Sequence, residues 1–150
     1  MVMTTEQLWK IGASLRISRE TMEPKQLSQL LKLEPTYSYR RGETNAISGH
    51  AYNNGYWCHQ RWFFSPERVN VAISWIEEFV AEHKQLFCQL LADGYKIYIY
   101  IGIHTTTITY GFEIPPMPVL TEIGIKVGVE LFWVTRATER SDGDRCAGSP

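Results

Sequence analysis

The side chains best suited to chemistry are few and scattered along the chain. Cys58 and His59 are adjacent, and a cysteine beside a histidine suggests a nucleophile with its base. In a strand, however, neighbouring residues point to opposite faces, so these two groups would not meet. The pair therefore indicates two ordinary strand residues and not a catalytic site.

A second set of candidates consists of charged and aromatic residues near a long connection. Arg40, Arg41 and Glu43 stand close together in the sequence, and arginine offers planar paired donors to a carboxylate or phosphate. With Trp57 and His59 they could line a small ligand-binding pocket or active site. The plainer interpretation is a solvated strand end with a local ion pair, which contributes little.

Metal and cofactor sites have no support in the sequence. The four histidines, His50, His59, His83 and His104, include no H-E-x-x-H pair, and His83 falls in an apolar helical row. The three cysteines, Cys58, Cys88 and Cys146, form no C-x-x-C pair. Glycine-rich nucleotide loops and the G-x-S-x-G motif are also missing, so we expect no cofactor and no metal.

Tyr98 and Tyr100 lie on one side of a predicted strand, as aromatic platforms of single-strand RNA readers do. In such readers basic residues surround the aromatic platform, whereas this chain has 15 Lys plus Arg against 16 Asp plus Glu. We therefore expect no nucleic acid partner.

The elements that position these residues follow from hydrophobic periodicity. Alternation of apolar and polar residues, or a high aromatic content between turn signals, predicts strands. The predicted strands cover residues 11–18, 36–41, 56–64, 97–103, 108–114 and 126–134. Residues 42–55 form a long connection, which is either a mobile loop or a binding loop.

Proline starts and helical spacing of apolar residues predict three helices. These cover roughly residues 24–33, the long segment 66–93, and a short segment that opens at Pro115, Pro116 and Pro118 and ends at Gly124. The order predicts an α+β fold, a ferredoxin-like sandwich with a mainly antiparallel sheet and helices on one face, plus an added hairpin and short helix.

At 150 residues the chain fits one domain, which we place at residues 1–138, with a disordered tail at 139–150. Residues 1–10 do not resemble a signal peptide, and no run reaches the roughly 18 apolar residues of a membrane span. Free thiols fit a reducing compartment. We expect a cytoplasmic protein without a membrane partner.

Several ordered motifs resemble one known family. They are Leu15-Arg16-Ile17-Ser18, Leu33-Glu34-Pro35-Thr36, Arg41-Gly42-Glu43, Trp57, Gly111-Phe112-Glu113-Ile114-Pro115 and Ile123-Gly124. Together they resemble the bacterial domain-of-unknown-function family numbered 4279. The resemblance supports the fold and implies a loose link to toxin-neutralising immunity proteins, but it brings no activity or catalytic residues. The long connection at 42–55 departs from the family pattern.

Our leading hypothesis is a non-enzymatic protein-binding module, with an immunity-type partner as one option. The sheet face away from the helices should gather Ser14, Arg16, Lys96, Tyr98, Tyr100, Glu130 and Phe132, a mixture typical of interfaces. The partner is another protein or a second copy in a homodimer. The alternative remains the pocket near Arg41, Glu43 and His59.

Overall fold

The structure is a computed structural model that describes residues 10–64, 68–105 and 114–133. It is an α+β fold with a five-stranded mixed sheet, and the described part contains four helices. The elements run in the order β1 (Lys10–Arg19), α1 (Pro24–Leu31), β2 (Tyr37–Tyr39), β3 (Gly55–Phe64), α2 (Arg68–Glu82), α3 (Lys84–Ala92), β4 (Lys96–Thr105), α4 (Pro118–Ile123) and β5 (Lys126–Trp133).

The sheet has the strand order β2-β3-β1-β4-β5, with β1 at its centre. The pairs β2·β3, β3·β1 and β1·β4 are antiparallel, and β4·β5 is parallel. Alternation over β1 and β4 predicted which residues share a face, and this prediction is confirmed. Ile11 pairs with Ile103 and Ile17 with Ile97, and all four side chains are buried.

The helices pack on the side of the sheet that carries these isoleucines. The core there joins the odd-numbered residues of β1 and β4 to apolar residues from each described helix, among them Leu27, Ile76, Phe87 and Leu120. The opposite side is formed by the even-numbered residues of β1, β3, β4 and β5 together with Tyr37 and Tyr39, which pair with Cys58 and Tyr56. We call this side the open face.

The prediction of one long helix over residues 66–93 is wrong, because the segment breaks at His83 into α2 and α3. The ring Nδ1 of His83 donates to the carbonyl oxygen of Phe79 at 2.9 Å, and the backbone of His83 leaves helical geometry with φ −112° and ψ 23°. A side chain that bonds into the carbonyl ladder commonly bends a helix. The apolar residues keep their helical spacing across the break, so the sequence pattern did not reveal it.

Two further elements end earlier than predicted. Helix α1 stops at Leu31 because Lys32 adopts a left-handed conformation with φ 51°. The strand predicted at residues 36–41 is only Tyr37–Tyr39, since Arg40 already turns towards Glu23. The predicted strand at 108–114, its hairpin with β4 and the tail at 139–150 lie outside the described residues, apart from Ile114, which is in no strand.

The connection at residues 42–55 folds back on itself. Gly42 N donates to Tyr52 O and Tyr52 N to Glu43 O, both at 2.9 Å, while Asn45 N donates to His50 O at 2.8 Å. Thr44 and Ala51 form an isolated bridge between the two arms. The connection is thus a hydrogen-bonded excursion with its own short ladder.

Candidate functional site

The residues predicted to converge on the sheet surface do share one face. Register partners point to the same side, and Ser14 pairs with Tyr100 while Arg16 pairs with Tyr98. On the other flank of β4, Glu130 pairs with Gly102 and Phe132 with His104. Lys96 lies beside Ser18 at one end of the same face.

A chain of contacts crosses the middle of the open face. The guanidinium of Arg16 lies 4.4 Å from the centre of the Tyr100 ring and donates through Nε to Ser14 Oγ at 3.2 Å. The Tyr100 hydroxyl donates to Glu130 Oε2 at 2.5 Å. Burial, and then this bond to a carboxylate, raise the pKa of Tyr100 to about 12. The hydroxyl is therefore a firmly held donor at neutral pH.

A second cluster, at the end of the open face near Lys10, was missed by sequence reasoning. His104 stacks on Phe132 with ring centres 4.7 Å apart, and Trp62 packs beside His104 at 5.8 Å. The ammonium of Lys10 lies 3.9 Å from the centre of the Trp62 ring.

Glycines in the strands make room for these rings. A Cβ on Gly12 would come within 2.9 Å of the Trp62 ring, and a Cβ on Gly102 within 3.3 Å of the Phe132 ring. Both glycines are buried although they lie on the open face. A glycine inside an alternating strand often marks such a close approach, and that signal could have revealed the cluster.

A group of four tyrosines forms the third part of the open face, at its β2 edge. Tyr52, from the 42–55 connection, stacks on Tyr39 with ring centres 3.6 Å apart and planes 8° apart. Tyr39 also stacks on Tyr56 at 5.2 Å. The hydroxyls of Tyr37 and Tyr52 are 2.6 Å apart, and that hydrogen bond is the main cause that raises the pKa of Tyr37 to about 12. The connection is thus held against the sheet by ring contacts.

The charged half of the alternative site forms exposed ion pairs. Arg40 Nη2 lies 2.9 Å from Glu23 Oε1, and Arg40 Nε lies 4.0 Å from Glu43 Oε1. Arg41 Nη1 lies 2.6 Å from Glu20 Oε1. This arrangement matches the plainer interpretation of a solvated strand end with local ion pairs.

The aromatic half of the alternative site lies on the helix side of the sheet. Trp57 is fully buried, and its Nε1 donates to Ser28 Oγ at 3.0 Å. His59 Nδ1 donates to the carbonyl oxygen of Glu34 at 2.7 Å, and its ring packs between Trp57 and Trp75. These contacts tie both residues to the core side, and among the described residues nothing joins them to Arg41 or Glu43.

Cys58 and His59 point to opposite sides, as strand geometry predicted, because Cys58 pairs with Arg16 and His59 with Leu15. A groove on the helix side of the sheet has a volume of about 370 Å³, and none of the residues predicted for a site lines it. Its lining residues are Arg61, Phe63, Asn70, Val71, Ser74, Trp75 and Glu78. Within the described ranges no three His, Cys, Asp or Glu residues gather as a metal site would require.

Among the described helices none is long and apolar enough to cross a membrane. A family model described as "Domain of unknown function (DUF4279)" matches residues 9–131, so the chain belongs to this family. Searches of curated proteins and of solved structures found no match. The family match agrees with the resemblance noted in the sequence motifs.

Proposed function

We propose that this member of the DUF4279 family is a non-enzymatic module that binds another protein through the open face. The observation that carries the proposal is that three groups of packed rings and charges lie on this one face, between Tyr37 and Phe132. Aromatic residues and arginine are the types enriched in interface cores.

The packing of these side chains favours association. Trp62 is 37% exposed and Tyr98 is 38% exposed, so each has surface left to bury. Contacts such as those of Arg16 with Tyr100 already restrict the rotamers of the surface side chains. Because immobilising free side chains opposes binding, a surface ordered in advance loses less entropy when a partner docks.

The alternative, a ligand pocket or active site near Arg41, Glu43 and His59, has weaker support. Arg41 is engaged by Glu20, and His59 is bonded to the backbone at Glu34 on the core side. An immunity role and a cytoplasmic, bacterial setting stay predictions that follow from the sequence and the family resemblance.

We also infer that β1 to β4 with α1 and α2 form a ferredoxin-like sandwich, to which β5 and α4 are additions. The support is the order β2-β3-β1-β4 with three antiparallel pairs, and helices on one side. In such a fold the uncovered sheet face is available for recognition, as it is in RNA readers that use a sheet.

The test is a double variant, Tyr98→Ala with Tyr100→Ala. Truncating an interface anchor commonly costs about 2 kcal/mol, so losing both should weaken association at least roughly 30-fold. A pull-down from the source cell would supply the partner, and titration of that purified partner would give the affinity. The matched control is Leu30→Ala with Ile47→Ala, two apolar side chains that are 55% and 84% exposed and are not among the strand and tyrosine residues of this face. A folded tyrosine variant with unchanged affinity would refute the proposal.

A further inference from the structure

The open face carries more positive than negative charge, although the chain as a whole has a formal charge of −1. Its described strand residues include four cations, Lys10, Arg16, Lys96 and Lys126, and one carboxylate, Glu130. The cations are spread over the face, with Lys10 at one end and Lys96 at the other, while Arg16 on β1 and Lys126 on β5 lie level with Tyr98 of β4. The near-zero net charge of the whole chain therefore does not reveal the excess of positive charge among the described residues of this face.

Within the described part of the chain these cations have no ion-pair partner. The ion pairs found in the described part join Arg40 to Glu23 and Glu43, Arg41 to Glu20, and Lys84 to Glu122, all outside the open face. Within the described residues none of the four cations has a carboxylate oxygen within 4.0 Å. Glu130 instead accepts a hydrogen bond from Tyr100. Interfaces commonly match such a potential with the opposite sign on the partner.

A second copy of the chain fits this face poorly. A twofold contact places the same patch on both sides, so the cations of one copy would face a patch that also carries more positive than negative charge. Like charges brought together in this way oppose association. A foreign partner is therefore favoured over a homodimer formed through the open face.

A single-stranded nucleic acid also fits less well than the charge alone implies. Bases stack on free ring faces, but three rings of this surface already have other side chains packed against them. The Trp62 ring packs on Gly12 and bears Lys10, the Tyr100 ring bears Arg16, and Phe132 is stacked with His104. The described part of this face is therefore a surface of packed rings with an excess of basic side chains.

We propose that the open face binds an acidic protein surface, with partner carboxylates meeting Arg16, Lys96 and Lys126. This inference rests on the proposed function and specifies the chemistry of the partner. It predicts an association that salt weakens and that charge changes on this face weaken more than equal changes elsewhere.

The charge test uses two variants of equal net charge. Lys96→Gln with Lys126→Gln removes two exposed cations from the open face. Lys25→Glu makes the same change in net charge at an exposed position of α1. The probes are a labelled oligoglutamate and an oligothymidylate of equal length, followed by fluorescence anisotropy at about 50 and about 200 mM salt. The expected result is oligoglutamate binding that the double variant weakens about tenfold and Lys25→Glu leaves unchanged. Equal oligoglutamate binding by both variants overturns the inference, as does oligothymidylate binding that is the tighter and is lost in the double variant.

Sedimentation and the captured partner separate the remaining outcomes. A wild-type dimer that the Tyr98→Ala, Tyr100→Ala variant dissolves would identify a second copy as the occupant and overturn the acidic partner. If the tyrosine variant loses the captured protein while the lysine variant retains it in full, the result supports protein binding through the open face and refutes the acidic partner surface. If neither variant loses it, both fall. Loss in both variants, with retention by Lys25→Glu, supports both.

Discussion

The indole Nε1 of Trp57 donates a hydrogen bond of 3.0 Å to Ser28 Oγ, and the serine hydroxyl donates in turn to the carbonyl oxygen of Pro24 at 3.1 Å. Both side chains are buried, so this relay fixes β3 to the first turn of α1 in the core. It also explains a polar residue on the apolar side of α1, because a buried indole N–H needs an acceptor.

Ser28→Ala should destabilise the fold by about 1–3 kcal/mol, since it leaves the N–H of Trp57 buried without its acceptor. Urea denaturation followed by circular dichroism measures the change. Gln29→Ala, an exposed neighbour in the same helix, is the control and should change stability little. Similar midpoints for the two variants would contradict the role of the relay.

Ile76→Ala should cost about 2–5 kcal/mol, because Ile76 is 3% exposed in the core and its truncation leaves a cavity. Val71→Ala is the matched control, since Val71 lies in the same helix but is 41% exposed. Denaturation midpoints of both variants decide the point. A loss for Ile76→Ala no larger than that for Val71→Ala would mean that α2 does not pack as described.

Glu77 looks like a solvent-facing helix residue in the sequence, but its Oε2 accepts the backbone N–H of Val119 at 3.1 Å in the first turn of α4. Removal of a carboxylate that caps a helix start costs about 0.5–2 kcal/mol, so Glu77→Ala should destabilise. Glu77→Gln keeps an acceptor and should recover part of the loss. Equal stability of wild type and Glu77→Ala would show that this bond contributes nothing.

The faces of the sheet could be predicted from the sequence, whereas contacts between distant segments could not. Alternation over β1 and β4 is local, and one register assigns both Ile99 and Tyr100 to their sides. The bend at His83 depends on where one ring nitrogen donates, which an apolar stripe does not reveal.

The residues of the candidate site were likewise only partly predictable from the sequence. The central residues of the open face follow from strand alternation, but Trp62 and Lys10 belong to it through a ring that lies across Gly12 on the next strand. Likewise, the sequence does not show that the described carboxylates all lie more than 4.0 Å from Arg16, because their positions depend on the fold. Arg41 and His59 lie on either side of the 42–55 connection in the sequence and belong to different environments, an exposed ion pair and the core side of the sheet.

The hydroxyl of Tyr100 should titrate late, because burial and the bond to Glu130 raise its pKa from 10.0 to about 12. A folded-state pKa above the unfolded value means that the contribution to stability is complete below pH 10 and is lost as the pH rises through about 12. In Tyr100→Phe, a pH titration followed by tyrosinate absorbance should show one tyrosine fewer ionising near pH 12. Glu130→Gln should lower the pKa of Tyr100, while Glu122→Gln, whose partner is Lys84, serves as the control. Identical titration curves for Glu130→Gln and Glu122→Gln would exclude the bond as a cause.

The 42–55 connection should loosen when Tyr52 is removed, because its ring is the part of the connection that stacks on Tyr39. Tyr52→Ala leaves the backbone bonds between its arms without that support, so their amides should exchange faster. Hydrogen exchange with peptide resolution measures this at Gly42, Asn45 and residue 52, whose N–H groups all donate within the connection.

The control for Tyr52→Ala is Ile47→Ala at the tip of the same connection, since Ile47 is 84% exposed. Its exchange should match that of the wild type, and the amides of β1 and β4 should stay protected in both variants. The tyrosine cluster forms the β2 edge of the open face, so a loosened connection should also weaken partner binding, to a smaller extent than the loss of Tyr98 and Tyr100. Unchanged exchange in Tyr52→Ala would mean that the backbone ladder alone holds the connection and that the tyrosine stack is available for another role.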